Sequence, residues 1–234
     1  MARVQLVCEQ KYHGVVQCAL GWACWKTYVG RSEENWAHGS AMHILGNGLS
    51  NERHLADALS VQEAKLSMMR RLGASKHNIL ITQGNLAGTC EMLGRHEEAI
   101  IMQRDVCAET SRLDGEESKS ALAEALNYAI MLKRINRLEE TKSLVRKIIP
   151  VARRVLGEGH RLTLTMQWIY AMALYQDDGA THDDLRESVE TLESVAKSWK
   201  RVFGPSHPDT MKVQGALSEA RDLLACARAS RDGK

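Results

Sequence analysis

The sequence predicts an all-α fold, an α-solenoid of about five stacked helix-turn-helix repeats with a 42-residue period. The first observation is composition, because the 234 residues include only 3 prolines and 1 phenylalanine, and strong helix formers dominate. The second is a recurring glycine that ends each helical stretch. The third is the apolar pattern between these glycines, which has helical periodicity and one interruption in each period.

Glycine recurs after basic, helix-forming stretches, as in Leu72-Gly73 and Leu156-Gly157. Glycine tolerates the left-handed conformation of a helix C-cap, and the preceding cations suit the helix dipole. Successive glycines are 43, 42, 42 and 47 residues apart, at Gly30, Gly73, Gly115, Gly157 and Gly204. The last interval is five residues longer than the period, and the polar stretch 177–183 is expected to hold the insertion as a longer loop.

Each period contains two amphipathic segments joined by a short turn. Asn85 precedes the turn at Gly94-Arg95, and Asn127, 42 residues later, precedes the turn at Asn136-Arg137. Small side chains lie twelve positions apart across each turn, where they let two antiparallel helices approach closely. The pattern predicts helices over 34–50, 53–71, 77–93, 96–113, 118–134, 138–155, 161–176, 183–202 and 208–229.

The repeat boundaries predict one continuous domain over residues 1–234. It comprises an incomplete first repeat (1–30), four full repeats (31–73, 74–115, 116–157 and 158–204) and a C-terminal helix (205–229). Residues 10–14 occupy the register of the later turns, so we expect a short helix over 3–9 and a second over 12–29. The apolar residues near this end do not form a polar cap, so the end is expected either to continue a longer solenoid or to be covered: Val4, Leu6, Val7, Trp22 and Trp25.

Four local features refine this prediction. Pro150 lies inside a predicted helix and should kink it or restart it. Ser206, before His207-Pro208, is the expected N-cap of the final helix. His160 and His207 stand at matching repeat positions, which favours a structural capping role. Gly46-Asn47-Gly48 falls in a helix interior and predicts close helix packing.

These motifs resemble the tetratricopeptide repeat of the kinesin light chain type. The resemblance rests on Asn-Leu-Ala, on Gly-x-x-Glu-Glu-Ala at residues 94–99, on Leu-Gly, and on His-Pro-x-Thr, which is complete at 207–210 and partial at 160–163. It covers nearly the whole chain, and the closing stretch 170–224 is similar to repeat proteins of unicellular algae. The resemblance implies stacked hairpins with longer helices than the standard repeat and a concave groove lined by the first helix of each hairpin.

The resemblance also implies which residues face that groove. The candidates for partner binding are Asn85, Asn127, Lys133, Arg134, Trp168 and Tyr175, with Met172 and Gln176 beside the last two. Amide side chains can bond an extended peptide backbone, and aromatic and thioether groups can hold an apolar anchor. Two alternatives stay open, a core role for Trp168 and Tyr175 and a solvated helix end for Lys133-Arg134. Ile169 replaces the asparagine in the third repeat, and lysine is scarce along the groove, which disfavours a several-cation clamp for a terminal carboxylate.

The sequence offers no pattern that indicates an enzyme. It contains no H-E-x-x-H, no G-x-S-x-G, no C-x-x-C and no phosphate-binding loop, so no catalytic residue, metal or cofactor is expected. The formal charge of +2 gives no electrostatic reason to expect nucleic acid. No apolar run approaches the ~20 residues of a membrane span, and the first residues lack a signal-peptide pattern.

We therefore predict a cytoplasmic, or at least intracellular, scaffold or adaptor that binds a protein or peptide in a concave groove. An alternative of a different class is a structural or accessory subunit that is held in a larger assembly through its N-terminal face. Six cysteines that form no C-x-x-C pair in the sequence are consistent with a reducing compartment.

Overall fold

The computed structural model describes residues 2–28, 30 and 36–232, and every regular element in this part of the chain is an α-helix. The helices are α1 (Ala2–Tyr28), α2 (Trp36–Asn51), α3 (Leu55–Arg71), α4 (Lys76–Met92), α5 (His96–Asp114), α6 (Lys119–Arg134), α7 (Leu138–Leu156), α8 (Arg161–Tyr175), α9 (His182–Phe203) and α10 (Pro208–Asp232). Each helix from α2 onwards begins and ends within three residues of its predicted bounds. The all-α prediction is therefore confirmed.

The predicted helix ends are confirmed as well. The glycines expected to stop helices adopt positive φ values, 83° at Gly30, 65° at Gly73, 89° at Gly115, 91° at Gly157 and 87° at Gly204. The two predicted turns inside hairpins also contain a residue with positive φ, 81° at Gly94 and 62° at Asn136. Asparagine is one of the few residues with a side chain that tolerate this conformation, which explains why it replaces glycine in the second turn.

The chain divides into two compact units, Met1–Thr110 (unit 1) and Ser111–Lys234 (unit 2). In unit 1, α1 packs along α2 with almost no space between the backbones. A Cβ atom added to Gly21 would lie 2.5 Å from Cα of Leu45, and one added to Gly48 would lie 2.5 Å from the backbone nitrogen of Cys18. Gly48 thus confirms the predicted close packing, and α2 in turn contacts α3 and α4.

In unit 2, consecutive helices pack as antiparallel neighbours, and α6, α8 and α10 also contact one another in turn. These three helices form one layer, and α7 and α9 pack against it. One buried cluster joins α6, α7 and α8 around Leu122, Val145 and Leu174. A second joins α8, α9 and α10 around Trp199, which is 1% exposed. The first helices of successive hairpins therefore share a face, as the repeat pattern predicts.

One predicted turn is wrong. Instead of a short helix over 3–9 and a second over 12–29, the structure has the single helix α1. The residue that occupies the register of Gly94 is Gln10, for which a positive φ is costly. Gly14 remains helical, and a Cβ there would lie 3.0 Å from Cβ of Asn51, so its small size serves helix packing. The side chains of Val4, Leu6 and Val7 lie outside the described residues.

Of two further local predictions, one is narrowed and one is wrong. Helix α7 does not restart at Pro150, since Val145, Ile149 and Ala152 hold both sides of the proline in the core, and the predicted kink stays a prediction. The N-cap of α10 is His207 and not Ser206, since His207 Nδ1 accepts a hydrogen bond from the backbone N–H of Asp209 at 3.2 Å. His160 Nδ1 does the same for Leu162 at 3.1 Å, which confirms the capping role of both histidines.

The predicted insertion forms the loop between α8 and α9, and ionic contacts fix it. The buried side chain of Lys142 donates to Oδ2 of Asp177 at 2.7 Å and also contacts Glu139. Burial alone would lower the pKa of Lys142, but its hydrogen bonds to Asp177 and Glu139 raise it. At the other end of the loop, Thr181 and Asp184 form a reciprocal capping box that starts α9.

The contacts of this loop lead us to expect that unit 2 loses stability in acid. The hydrogen bond from Lys142 lowers the pKa of Asp177, and the hydroxyl of Thr181 lowers that of Asp184. A carboxyl group whose pKa is lower in the folded chain stabilises the fold above its unfolded pKa of about 3.9, and this stability is lost as the pH falls through the folded value. We expect urea unfolding at stepped pH to show stability falling from about pH 5 downwards. Asp177→Asn should weaken that dependence, and an unchanged pH profile would contradict the assignment.

Candidate functional site

The candidate site is the face that α6, α8 and α10 share in unit 2. Along α8, side chains spaced by three or four residues are half-buried, so they line the outer side of the layer and not its core. We call this surface the first-helix face. It comprises Asn127, Ile130, Lys133 and Arg134 of α6, Trp168, Met172 and Gln176 of α8, and Glu219 of α10.

A pair of cations lies at the α6 edge of the first-helix face. Lys133 is half-buried and Arg134 is exposed. Burial lowers the pKa of Lys133, the neighbouring Arg134 lowers it further, and Glu219 of α10 partly opposes both effects. A basic group whose pKa is lowered by burial and by a like charge is stabilised by an additional anion. This edge therefore favours a negatively charged or strongly accepting partner group.

Tyr175 lies in the core and not on the open surface. Its side chain is 4% exposed, and its hydroxyl donates to Oε2 of Glu219 at 2.9 Å. The pKa of Tyr175 is strongly raised, first by burial and then by this bond to a carboxylate. The sequence left open a core role for Tyr175, and its ring does lie in the core. Its chemical role is to hold Glu219 at the first-helix face, where Gln176 also lies.

Trp168 occupies an intermediate position. Its ring packs against the cluster of α8, α9 and α10 together with Met172, and both side chains remain partly exposed. The indole Nε1 is buried and has no hydrogen-bond acceptor among the described residues. An unsatisfied donor costs about 1–3 kcal/mol, and because this nitrogen is buried, only the exposed part of the ring is open to a partner.

The two asparagines lie in different units. Asn127 is exposed on α6, and its Nδ2 donates to Oε2 of Glu124 at 3.3 Å. Asn85 is half-buried on α4 of unit 1, where its backbone oxygen accepts from Thr89 at 3.2 Å. Within unit 2 the structure thus brings Asn127, Lys133, Arg134 and Trp168 to one face.

Sequence reasoning missed Glu219. The final helix was expected over 208–229, but no repeat equivalent indicated which of its sides would meet α8. The hydrogen bond from Tyr175 and the electrostatic effect on Lys133 identify Glu219 as the residue that joins the three helices. An acidic residue eleven positions after Pro208, at the flank of the α10 face that carries Ala220 and Leu224, was the available signal.

Neither a metal site nor a membrane-spanning helix is found in the described part of the chain. No group of three or more histidine, cysteine, aspartate or glutamate side chains there could hold a metal ion. None of the helices in the same part is both long and apolar enough to cross a bilayer.

Comparison with known proteins places the fold. No protein-family model matches the sequence, and no curated protein matches it either. Two crystal structures of a Podosopora anserina putative kinesin light chain with nearly identical TPR-like repeats are similar, each 22% identical over 81% of this chain. The Q17M form has a TM-score of 0.63 over 92% of its own length, and the other form has 0.62 over 93%. BtubC (BKLC) from P. vanneervenii is 13% identical, with a TM-score of 0.60 over 96% of this chain and 93% of its own.

The helical hairpins, the shared first-helix layer and these similarities define the class: an all-α repeat protein built from stacked helical hairpins. More particularly, the chain has the tetratricopeptide-repeat fold of the kinesin light chain type. The predicted fold class is confirmed. The similarity at this level of identity establishes the fold and leaves the partner to chemical argument.

Proposed function

We propose that the chain binds a peptide segment of a partner protein on the first-helix face of unit 2 and that it carries no catalytic activity. The observation that supports this most directly is the half-buried ammonium group of Lys133 at the end of α6, whose pKa is lowered by burial and by the neighbouring cation Arg134. Ammonium and guanidinium groups on a partly exposed layer can donate hydrogen bonds to carbonyl and carboxylate oxygens of an extended chain.

The first-helix face also offers apolar contact, on α8. Trp168 and Met172 lie side by side on α8, where an aromatic ring and a thioether can accommodate an apolar anchor of variable shape. Asn127 lies on α6 at the neighbouring edge and can exchange hydrogen bonds with a peptide backbone. The proposed ligand therefore combines an apolar side chain with nearby acceptor groups, in an intracellular partner.

The proposal is tested by selecting peptides that bind the chain and then measuring the affinity of one of them. A phage-displayed library of 16-residue peptides is panned against the purified chain, and one enriched peptide is synthesised with a fluorophore. By fluorescence polarisation, Asn127→Ala and Arg134→Ala should each weaken its binding about tenfold, which is about 1.4 kcal/mol. Lys147→Ala, an exposed cation on α7, is the matched control and should bind like the native chain.

Failure to enrich any peptide would contradict the proposal. Enriched peptides whose affinity is equal for the native chain and for both first-helix variants would reject this face as the site. Circular dichroism of each variant separates lost binding from lost structure, and neither substitution should lower the melting temperature because both side chains are exposed.

A second candidate is a structural or accessory subunit of a larger assembly, and α1 favours it. Six of the eight outward positions from residue 15 to residue 27 are apolar, and four large side chains are 46–54% exposed: Val15, Val16, Leu20 and Trp22. A helix that is apolar on all sides is normally covered. Sedimentation velocity at about 50 μM tests this alternative. A well-behaved monomer at that concentration would argue that the apolar outer side of α1 does not need a partner to bury it.

A further inference from the structure

The outward side of α1 in unit 1 repeats at the same seven-residue interval as its packed side. Gly14 and Gly21, seven residues apart, are buried against α2, and the exposed positions between and after them recur at the same interval. Intervals of three and four residues keep side chains on one side of a helix. Four exposed residues at these intervals form a stripe on the side that faces away from the two glycines. We call it the α1 stripe, and it consists of Val16, Leu20, Ala23 and Thr27.

The α1 stripe is apolar along its whole length. Val16 is 52% exposed and Leu20 is 54% exposed. The hydroxyl of Thr27 donates to the backbone oxygen of Ala23 at 2.9 Å, so its polar group is already satisfied within α1. The sequence from residue 12 to residue 25 contains no Asp, Glu, Lys or Arg. A helix at the surface of a domain normally has a polar outer side, so this stripe needs an apolar cover.

The spacing of the α1 stripe fits a second α1 that runs in the opposite direction. Its successive intervals are four, three and four residues, and this series reads the same from either end. A twofold axis through the middle of the stripe therefore places every member opposite another member. Leu20 of each copy lies opposite Ala23 of the other, and Val16 lies opposite Thr27. Because each larger side chain meets a smaller one, the two helices can approach closely.

The residues beside the stripe favour the same antiparallel direction. On its flank, Trp22 of one copy comes next to Ala19 of the other, which again joins a large side chain to a small one. Lys26 is the charged residue among the described side chains of α1. The two Lys26 side chains are about 13 Å apart along an antiparallel pair, which exceeds the Debye length of about 8 Å at physiological salt. Parallel pairing would instead bring the two ammonium groups together.

The size of this surface suits a reversible dimer. The large side chains on and beside the stripe expose an area on the order of 350 Å², within the roughly 300–600 Å² of patches that mark interaction sites: Val15, Val16, Leu20 and Trp22. Two copies, with their alanines included, would bury roughly 800–1,000 Å² in total, somewhat less than the ~1,200 Å² at which standard interfaces begin. Association in the micromolar range is therefore expected.

We propose that the α1 stripe is covered by a second copy of this chain, so that two chains form an antiparallel, twofold-symmetric dimer through α1. The proposal rests on the second candidate function, to which it gives a particular partner. It does not depend on peptide binding by unit 2.

Sedimentation velocity of the full chain tests the dimer. Between about 1 and about 100 μM, the native chain should pass from the mass of one chain to that of two, with a dissociation constant on the order of 10 μM. Leu20→Lys places an ammonium group beside the twofold axis and should raise this constant at least tenfold. Leu223→Lys on α10 is the matched control, since Leu223 is 41% exposed, and it should dimerise like the native chain. Circular dichroism should show native helix content in both variants.

An exchange of side-chain size tests the register of the pair. Leu20→Ala leaves a gap opposite Ala23 and should weaken the dimer at least fivefold. Adding Ala23→Leu in the same chain should restore the dissociation constant to within about threefold of the native value, because each leucine again lies opposite an alanine. A double variant as weak as Leu20→Ala would reject this antiparallel register.

Two results would overturn the proposal outright, a native chain that stays monomeric at about 100 μM and a dimer that Leu20→Lys leaves intact. Anilinonaphthalene sulfonate then separates this failure from failure of the second candidate function. If the monomer binds the dye and Leu20→Lys removes that binding, a second copy is rejected while α1 stays open to a different partner protein. If the monomer binds no dye, both are rejected. Co-sedimentation of the monomer with phosphatidylcholine–phosphatidylserine vesicles, lost in Leu20→Lys, would reject a second copy in favour of lipid.

Discussion

Replacing Gly21 with alanine is expected to destabilise the packing of α1 on α2 by about 2–3 kcal/mol. The new Cβ would lie 2.5 Å from Cα and 2.7 Å from the backbone nitrogen of Leu45. Backbone atoms in a helix cannot rotate away as the end of a side chain can, so the two helices must separate. Separation also exposes the half-buried Cys18 and Trp25, which pack against Leu45 and Leu49.

The control for Gly21→Ala is a glycine at which the same substitution meets nothing. Gly88 lies inside α4, and an added Cβ there has no neighbour within 4 Å. Alanine is favoured over glycine in a helix interior by about 1 kcal/mol, so Gly88→Ala should stabilise the chain slightly. Because both variants gain this propensity, the difference between their unfolding free energies isolates the α1–α2 contact.

Urea unfolding followed by tryptophan fluorescence measures the Gly21 effect, since Trp22 and Trp25 lie on α1 itself. Hydrogen exchange of α1 distinguishes local separation of this helix from unfolding of the whole unit. Equal stability of Gly21→Ala and Gly88→Ala would show that the close contact between α1 and α2 does not exist in solution.

Local chemistry made most of the fold predictable. A glycine after a basic helical stretch predicted a positive φ at Gly73 and Gly157, and both adopt it. Helical periodicity then located the segments between such glycines. The same reasoning failed at residues 10–14, because register alone cannot say whether a glycine ends a helix or lets another helix approach. That distinction depends on Asn51 and Glu52, which come from a different helix.

The candidate site was less predictable because exposure and packing partners are properties of the assembled layer. Periodicity placed Trp168 and Tyr175 on one side of α8, two helical turns apart. It could not predict how deeply each ring is buried. Tyr175 is buried by α10 and bonded to Glu219, while Trp168 stays partly exposed.

The largest effect of a single substitution in unit 2 is expected for Trp199→Ala, at about 3–5 kcal/mol of unfolding free energy. Trp199 is 1% exposed and joins α8, α9 and α10. Its ring centroid lies 4.6 Å from that of Phe203 and 5.9 Å from that of His207, the N-cap of α10. Removing the indole therefore leaves a large cavity and loosens the start of the helix that carries Glu219.

Trp199→Phe separates the contribution of packing from that of the indole N–H. Nε1 of Trp199 is buried without an acceptor among the described residues, so phenylalanine loses volume but also removes an unsatisfied donor that costs about 1–3 kcal/mol. We expect Trp199→Phe to cost at most about half as much as Trp199→Ala. Trp168→Ala, at the partly exposed tryptophan of the same cluster, should also cost less than Trp199→Ala. Urea unfolding followed by circular dichroism compares the three variants, and a cost below about 1 kcal/mol for Trp199→Ala would mean that this cluster does not hold α10 in place.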